Sequence, residues 1–341
     1  LEVLLGRTLR RPTGYHARDL IEAAGHGVVQ ALLCLGGNLY GANPDSTQAG
    51  CALGKIDTIA YLATKPNRGH FHGLAAQQTL LLPVFNRFET PHHTTVESGN
   101  NWVRLNEPGS THLRHADLIS EVVFLAELAH RLFGEDPIDW RGLQNPAYVR
   151  ALIARTVPGY AAMAQIDTAK REFEVSGRVF QTPQFSTPNG RAQLALTPLP
   201  HLRLPSADYF GGVAHGERSL LLNLITARSN GQHTSVVYKS ADRYRGMPHR
   251  QTLLINPGDL LASGLVAHER VTVQGEAGQL EQIELIPGSI RRGSGLMFYP
   301  EANVLMRGTA DPACGTPAFK RVPVLLRAPA LAIDGPEPSS G

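Results

Sequence analysis

The chain has 341 residues and only three cysteines, Cys34, Cys51 and Cys314. They stand far apart and form no CxxC pair, which excludes a zinc ribbon or an iron–sulfur ligand set within this chain. Buried free thiols are the expectation, with a reducing, cytoplasmic compartment favoured. No apolar run approaches the roughly 20 residues that cross a bilayer, so no membrane span is expected. No signal-peptide core follows the first residues, because Arg7, Arg10 and Arg11 interrupt them. No dense basic run occurs either: 32 Lys and Arg are mixed among 29 Asp and Glu, and the net charge of +3 is too small to argue for nucleic acid. A GxGxxG fingerprint and internal repeats are missing as well.

Proline and glycine, at 24 and 34 residues, favour a loop-rich α/β or β-containing fold over a helical bundle. The first part alternates. A short helix is expected at Arg18–Ala24, then an apolar strand within Val28–Leu35 that breaks at Gly36-Gly37-Asn38. Further apolar runs follow at Ile56–Ala63 and Thr79–Val84. Such an alternation suggests a mostly parallel sheet, whose ligands sit beyond the carboxyl ends of its strands. Residues 86–116 carry little periodicity and are expected to form a long surface loop. Ile119, Val122, Val123, Ala126 and Ala129 repeat at helical spacing, and Gly134 stops that helix. From Ser219 onward, apolar runs at Leu220–Ile225, Gln251–Ile255, Arg270–Gln274, Gln282–Ile286, Gly295–Tyr299 and Val322–Leu326 are divided by Gly, Pro and Asp turns. That is the pattern of a small closed β-barrel. The boundaries expected are an α/β domain over 1–150, an irregular connector over 151–214, a barrel over 215–330 and a disordered tail over 331–341.

Polar side chains cluster where these strands end. Gly36, Gly37 and Asn38 would let the backbone approach a phosphate, although on their own a tight strand-to-helix turn is the better reading. Lys65, Asn67, Arg68 and His70 follow the second strand; cations there suit a pyrophosphate, or simply a solvated loop. Arg228, Ser229, Gln232, His233 and Thr234 form the densest group, leaving a buried strand as hydrogen-bonding residues. Asn303 follows the run at Gly295–Tyr299, and Phe319-Lys320 precedes the last strand. Asn256-Pro257-Gly258-Asp259 reads as a turn capping a short helix, a fold marker and not a site. His92, His93, His112 and His115 lack the spacing and the carboxylate or thiolate of a metal site, so no protein metal site is expected. Glu97 receives no role.

Taken in order, these segments resemble molybdopterin-dependent oxidoreductases, and within them the C-terminal half of formate-dehydrogenase-like alpha subunits of the dimethyl sulfoxide reductase superfamily. The segments that carry the resemblance are Gly36-Gly37-Asn38, Asn67-Arg68-Gly69-His70, Thr226–Thr234, Asn256–Asp259, Tyr299–Asn303 and Thr316–Lys320. It implies an α/β Rossmann-like domain followed by a double-psi β-barrel domain, holding bis-(molybdopterin guanine dinucleotide) with molybdenum. By the resemblance, the cofactor is contacted by Gly36, Gly37, Asn38, Lys65, Asn67, Arg68, His70, Arg228, Ser229, Gln232, His233, Thr234, Asn303, Phe319 and Lys320. His233 stands where other polar residues are common in the family. The molybdenum ligand and the iron–sulfur cysteines have no counterpart here. The chain is therefore expected to be the C-terminal half of a larger subunit, partnered by its N-terminal half and working with a small-molecule substrate and an electron-transfer partner. No catalytic acid or base is assigned. Two rivals stay open: a truncated paralogue that binds pterin dinucleotide without redox activity, and an unrelated α/β nucleotide-binding protein with a barrel appended.

Overall fold

The computed structural model describes residues 2–99, 101–110, 117–134, 138–175, 183–196, 198, 204–311 and 314–330. The expectations for His112, His115 and the tail over 331–341 lie outside those residues. From the amino end the elements are α1 (Glu2–Leu5), α2 (Ala17–Gly25), β1 (Ala31–Leu35), α3 (Leu39–Ala42), α4 (Ser46–Leu53), β2 (Thr58–Ala63), α5 (Gly69–His72) and β3 (Gln78–Pro83). Next come β4 (Thr94–Glu97), β5 (Trp102–Asn106), α6 (Glu121–Phe133), α7 (Pro146–Thr156), α8 (Ile166–Ala169) and β6 (Phe173–Glu174). The remainder holds β7 (Arg218–Ala227), β8 (Thr252–Ile255), α9 (Pro257–Ser263), β9 (Arg270–Gln274), β10 (Gln279–Pro287), β11 (Ser294–Phe298) and β12 (Val322–Ala328). None of the described helices is long and apolar enough to cross a membrane.

Two compact units interleave along the chain. One gathers residues 1–14, 62–65 and 82–200, the other 15–61, 66–81 and 201–341. β1 and most of β2 and β3 fall in the second unit, and the three strands lie side by side in that order. Ile21 and Ala24 of α2 and Ala49, Ala52 and Leu53 of α4 pack with Ile56, Ile59 and Tyr61 into one apolar cluster. Asp45 starts α4, its Oδ1 accepting from Gln48 N at 3.0 Å.

The later strands close into a six-stranded barrel in the order β10-β8-β11-β7-β12-β9. Period-two alternation explains it: Leu222 and Leu224 of β7, Leu253 and Ile255 of β8, Val271 and Val273 of β9, Ile283 and Leu285 of β10, and Val324 and Leu326 of β12 all enter one core. Each such side chain contributes about 1.5–3 kcal/mol by leaving water. Between the inward pair on β8, Leu254 points the other way and packs with Met247, Ile286 and Phe298. The short helix α9 is capped as its sequence suggests, with Asn256 Oδ1 accepting from Gly258 N at 2.8 Å, and Gly264 ends it at φ 69°.

Two expectations need correction. Residues 86–116 are not one loop, because β4 and β5 pair antiparallel and β5 pairs with β6. Among the described residues of that hairpin only Val103 is fully buried, and it packs against Met163, Ile166 and Val175, far along the chain. So short a half-buried hairpin carries no run of apolar residues to betray it. The thiols are free but not buried: Cys51 and Cys314 are exposed, and only Cys34, in β1, is partly covered. Cys51 takes the outward side of α4 while Ala52 and Leu53 take the core.

Candidate functional site

Strand direction assembles the site. β7 and β11 run parallel with Ala227 beside Phe298, so Arg228 and Tyr299 emerge together at one end of the barrel. Arg228 Nε donates to the Tyr299 hydroxyl at 2.7 Å, and Tyr299 N donates to Ala227 O at 3.2 Å. β12 runs antiparallel to β7, with Val322 opposite Leu224. The residues just before β12 therefore reach the same end. Thr226 N and its Oγ1 donate to Phe319 O at 3.2 and 2.8 Å, and the Lys320 ammonium donates to Thr226 O. The end of β7 meets segments 71 and 93 residues further along because two strands flank a third.

The loop that leaves β7 is built on buried Gln232. Its Oε1 accepts from Ser229 N at 3.0 Å and from Ser229 Oγ at 3.2 Å. Its Nε2 donates to Thr234 O at 2.8 Å and Tyr299 O at 2.9 Å. His233 and Val237 exchange backbone hydrogen bonds at 2.8 and 3.2 Å, which leaves the side chains of His233 and Thr234 exposed. Asp242, fully buried, accepts from Asn230 N at 2.9 Å and from Arg245 Nη1 at 2.5 Å. Burial pushes its carboxyl up, but these donors outweigh burial and hold it below the usual range.

The turns after β1 and β2 face this loop within the same unit. Gly36 and Gly37 adopt φ 63° and 75°, and a Cβ on either would meet nothing within 4 Å. Asn38 Oδ1 accepts from Gly41 N at 2.8 Å, and its Nδ2 donates to Ser235 O at 3.0 Å. Asn67 Nδ2 donates to Gly37 O at 3.0 Å while its Oδ1 accepts from Gly69 N at 2.9 Å. Asn67 N donates to Nδ1 of buried His70 at 3.3 Å, and that ring lies 4.8 Å from Tyr61. Burial holds His70 below the ordinary histidine range. Asn303, in a 3-10 turn after β11, donates through Nδ2 to Gly41 O at 2.9 Å and Asn43 O at 3.1 Å. Its buried Oδ1 has no partner among the described residues.

Fourteen of the fifteen residues singled out from sequence thus belong to one unit, and Lys65 is exposed in the other. Their roles divide. Asn38, Asn67, Gln232 and Asn303 spend their amides on backbone and stitch the turns together. Arg68, Arg228, His233, Thr234 and Lys320 are exposed at the surface of that assembly. Of these five, only Arg68 lines a cavity of about 270 Å³, together with Tyr40, His72, Arg250, Leu280 and Val304.

Sequence reasoning missed Arg250 and undervalued Tyr299 and Glu301. Arg250 is buried, and its Nε and Nη2 hold the two oxygens of Glu301 at 2.6 and 2.8 Å. A basic residue just before a strand gives no signal of this, since most such residues are solvated. Outside the site, Glu97 accepts from Tyr160 OH, and His93 lies between Glu107 and Asp167 at 2.9 and 3.8 Å.

Residues 222–323, which span the barrel from β7 to β12, match the family model described as the molydopterin dinucleotide binding domain. By that match the barrel resembles a molydopterin dinucleotide binding domain. An uncharacterized oxidoreductase of Mycobacterium tuberculosis is 29% identical over 320 residues, covering 88% of this chain and 39% of the relative. Protein YdeP of Escherichia coli K12 is 25% identical over 337 residues, covering 94% of this chain and 43% of the relative. Acetylene hydratase from Pelobacter acetylenicus shares the fold, with TM-score 0.62 and 16% identity over 91% of this chain and 46% of that one. The chain therefore resembles molybdopterin-dependent oxidoreductases and spans about two-fifths of the curated relatives' length.

Proposed function

We propose that this chain is the cofactor-gripping portion of a molybdenum oxidoreductase that uses bis-(molybdopterin guanine dinucleotide). The observation that carries the reading is the coincidence of the matched domain with the polar barrel end: residues 222–323 run from within β7 through β11 to the start of β12, and Arg228, His233, Thr234 and Lys320 lie within them. The donor set suits such a group. Guanidinium and ammonium groups pair with a diphosphate, and hydroxyl and imidazole groups meet the heteroatoms of a pterin. The left-handed turn at Gly36 and Gly37, open where a side chain would stand, leaves backbone for a phosphate to approach. When bound, the cofactor would supply two-electron redox chemistry.

In this reading the protein's own residues bind and orient. Arg68, Arg228 and Lys320 neutralise phosphate charge, His233 and Thr234 contact the pterin, and the buried amides fix the turns from which these groups project. The first part, with β1, β2 and β3, would be the Rossmann-like half and the barrel the double-psi half. Formate-dehydrogenase-like chemistry, an iron–sulfur cluster held by sequence outside this chain, an electron partner and a cytoplasmic location complete the proposal.

The test is molybdenum and pterin content of the native protein carrying Arg228→Ala or Lys320→Ala. Each loss of a charge-assisted contact should cost about 1–3 kcal/mol of binding, roughly a 5- to 150-fold weaker grip. Unchanged occupancy in both variants would overturn the assignment. Loaded but redox-inactive protein would favour a pterin-binding paralogue.

A further inference from the structure

We infer that Arg250 is the positioning residue that holds the pterin-facing loop, residues 228–235, in its binding shape. This deepens the molybdopterin reading and rests on it for the ligand, though not for the loop. Arg250 sits just ahead of β8, and its guanidinium reaches four separate places. Nη1 donates to Ser229 Oγ at 3.1 Å, Nη2 donates to Tyr299 O at 2.7 Å, and Gln232 Oε1 accepts from both at 3.4 and 3.3 Å. Glu301 holds the other edge of the fork through both its oxygens. The flat face lies 4.0 Å from the centre of the Tyr238 ring and 5.1 Å from that of Phe298. One planar cation therefore clasps the loop's turn to the segment that follows β11.

Geometry argues against a general packing role. No hydrogen-bond acceptor of Arg250 belongs to a barrel strand, and the barrel's interior is filled by aliphatic side chains instead. The residues it orders are Gln232, which fixes the turn at His233 and Thr234, and Tyr299, which receives Arg228. Arg250 is buried, and the guanidinium atoms that hold the loop are taken up by these residues, while the residue also lines the cavity of about 270 Å³ with Arg68. A fork of fixed geometry is required, because a single-point ammonium cannot bind Glu301 twice and still reach Ser229 and Tyr299.

The test compares Arg250→Met with Arg218→Met in the native full-length protein. Arg218 makes a comparable two-pronged pair with Glu269 elsewhere on the barrel. Two readouts are taken: hydrogen exchange at the amides of Ser229, Asn230, Gln232, His233 and Val237, and molybdopterin retained through purification. Arg250→Met should speed exchange at those amides by about tenfold or more and lower retained molybdopterin by a similar factor, since several charge-assisted hydrogen bonds are lost. Arg218→Met should leave both readouts near wild type. Unchanged exchange in Arg250→Met, or equal acceleration by Arg218→Met, overturns the inference. If Arg250→Met does not accumulate, Arg250→Lys is judged by the same readouts and criteria. Wild-type protein without molybdopterin would sink the functional reading, and exchange alone would then decide the role of Arg250.

Discussion

Gly69 opens α5, where helical backbone should welcome alanine. Replacing glycine by alanine in an ordinary helix stabilises it by about 1 kcal/mol. Here the added Cβ would stand 1.9 Å from Asn38 Oδ1 and 3.0 Å from Asn67 Oδ1. Asn38 cannot retreat freely, because its amide is held by Gly41 N and Ser235 O. Breaking those two bonds costs about 0.5–1.5 kcal/mol each, and about 1–3 kcal/mol more for a buried group left unsatisfied. Gly69→Ala should therefore destabilise by about 1–5 kcal/mol net of the helical gain. Urea unfolding followed by fluorescence gives the difference directly. The same substitution made in an Asn38→Ala background should cost less, with a coupling of about 1–3 kcal/mol. A neutral or stabilising Gly69→Ala, or strict additivity with Asn38→Ala, would refute the idea that the two turns are braced through this contact.

Burial depresses the folded-state proton affinity of His70. Its contribution to stability is thus present above the unfolded-state value of about 6.5 and is lost as pH falls through the folded value. Unfolding midpoints should decline between roughly pH 7 and 5 more steeply in the wild type than in His70→Gln, and equal slopes would count against the assignment. Thiol titration of the native protein should show Cys51 and Cys314 reacting fast and Cys34 slowly, because burial raises the Cys34 thiol to about 11; three equal rates would contradict this. Lower molybdenum occupancy in Arg228→Ala and Lys320→Ala completes the set, read by metal analysis as described above.

The barrel was legible because its signal is local. Each of its six strands is a short apolar run bounded by turn residues, and the expected runs at Gln251–Ile255 and Arg270–Gln274 fall on β8 and β9. The helix α6 was legible for the same reason, its apolar spacing ending at Gly134, which adopts φ 74°. Hidden features depend on partners distant in sequence. Val103 shows its burial only once Met163 and Ile166 are in place, and Arg250 looks like any basic residue until Glu301 and Tyr299 surround it. The site shows the same division. Which polar residues gather at strand ends could be read from the chain. That Asn38, Asn67 and Asn303 are occupied by backbone groups could not, because their partners are set by how the turns meet.

The most direct test is the molybdenum and pterin content of the native protein, isolated intact with its mass determined. The account predicts molybdenum together with a pterin that yields guanine nucleotide on hydrolysis, in a product heavier than the 36.9 kDa of this chain. Protein free of both molybdenum and pterin, from cells that load other molybdoenzymes, would contradict it.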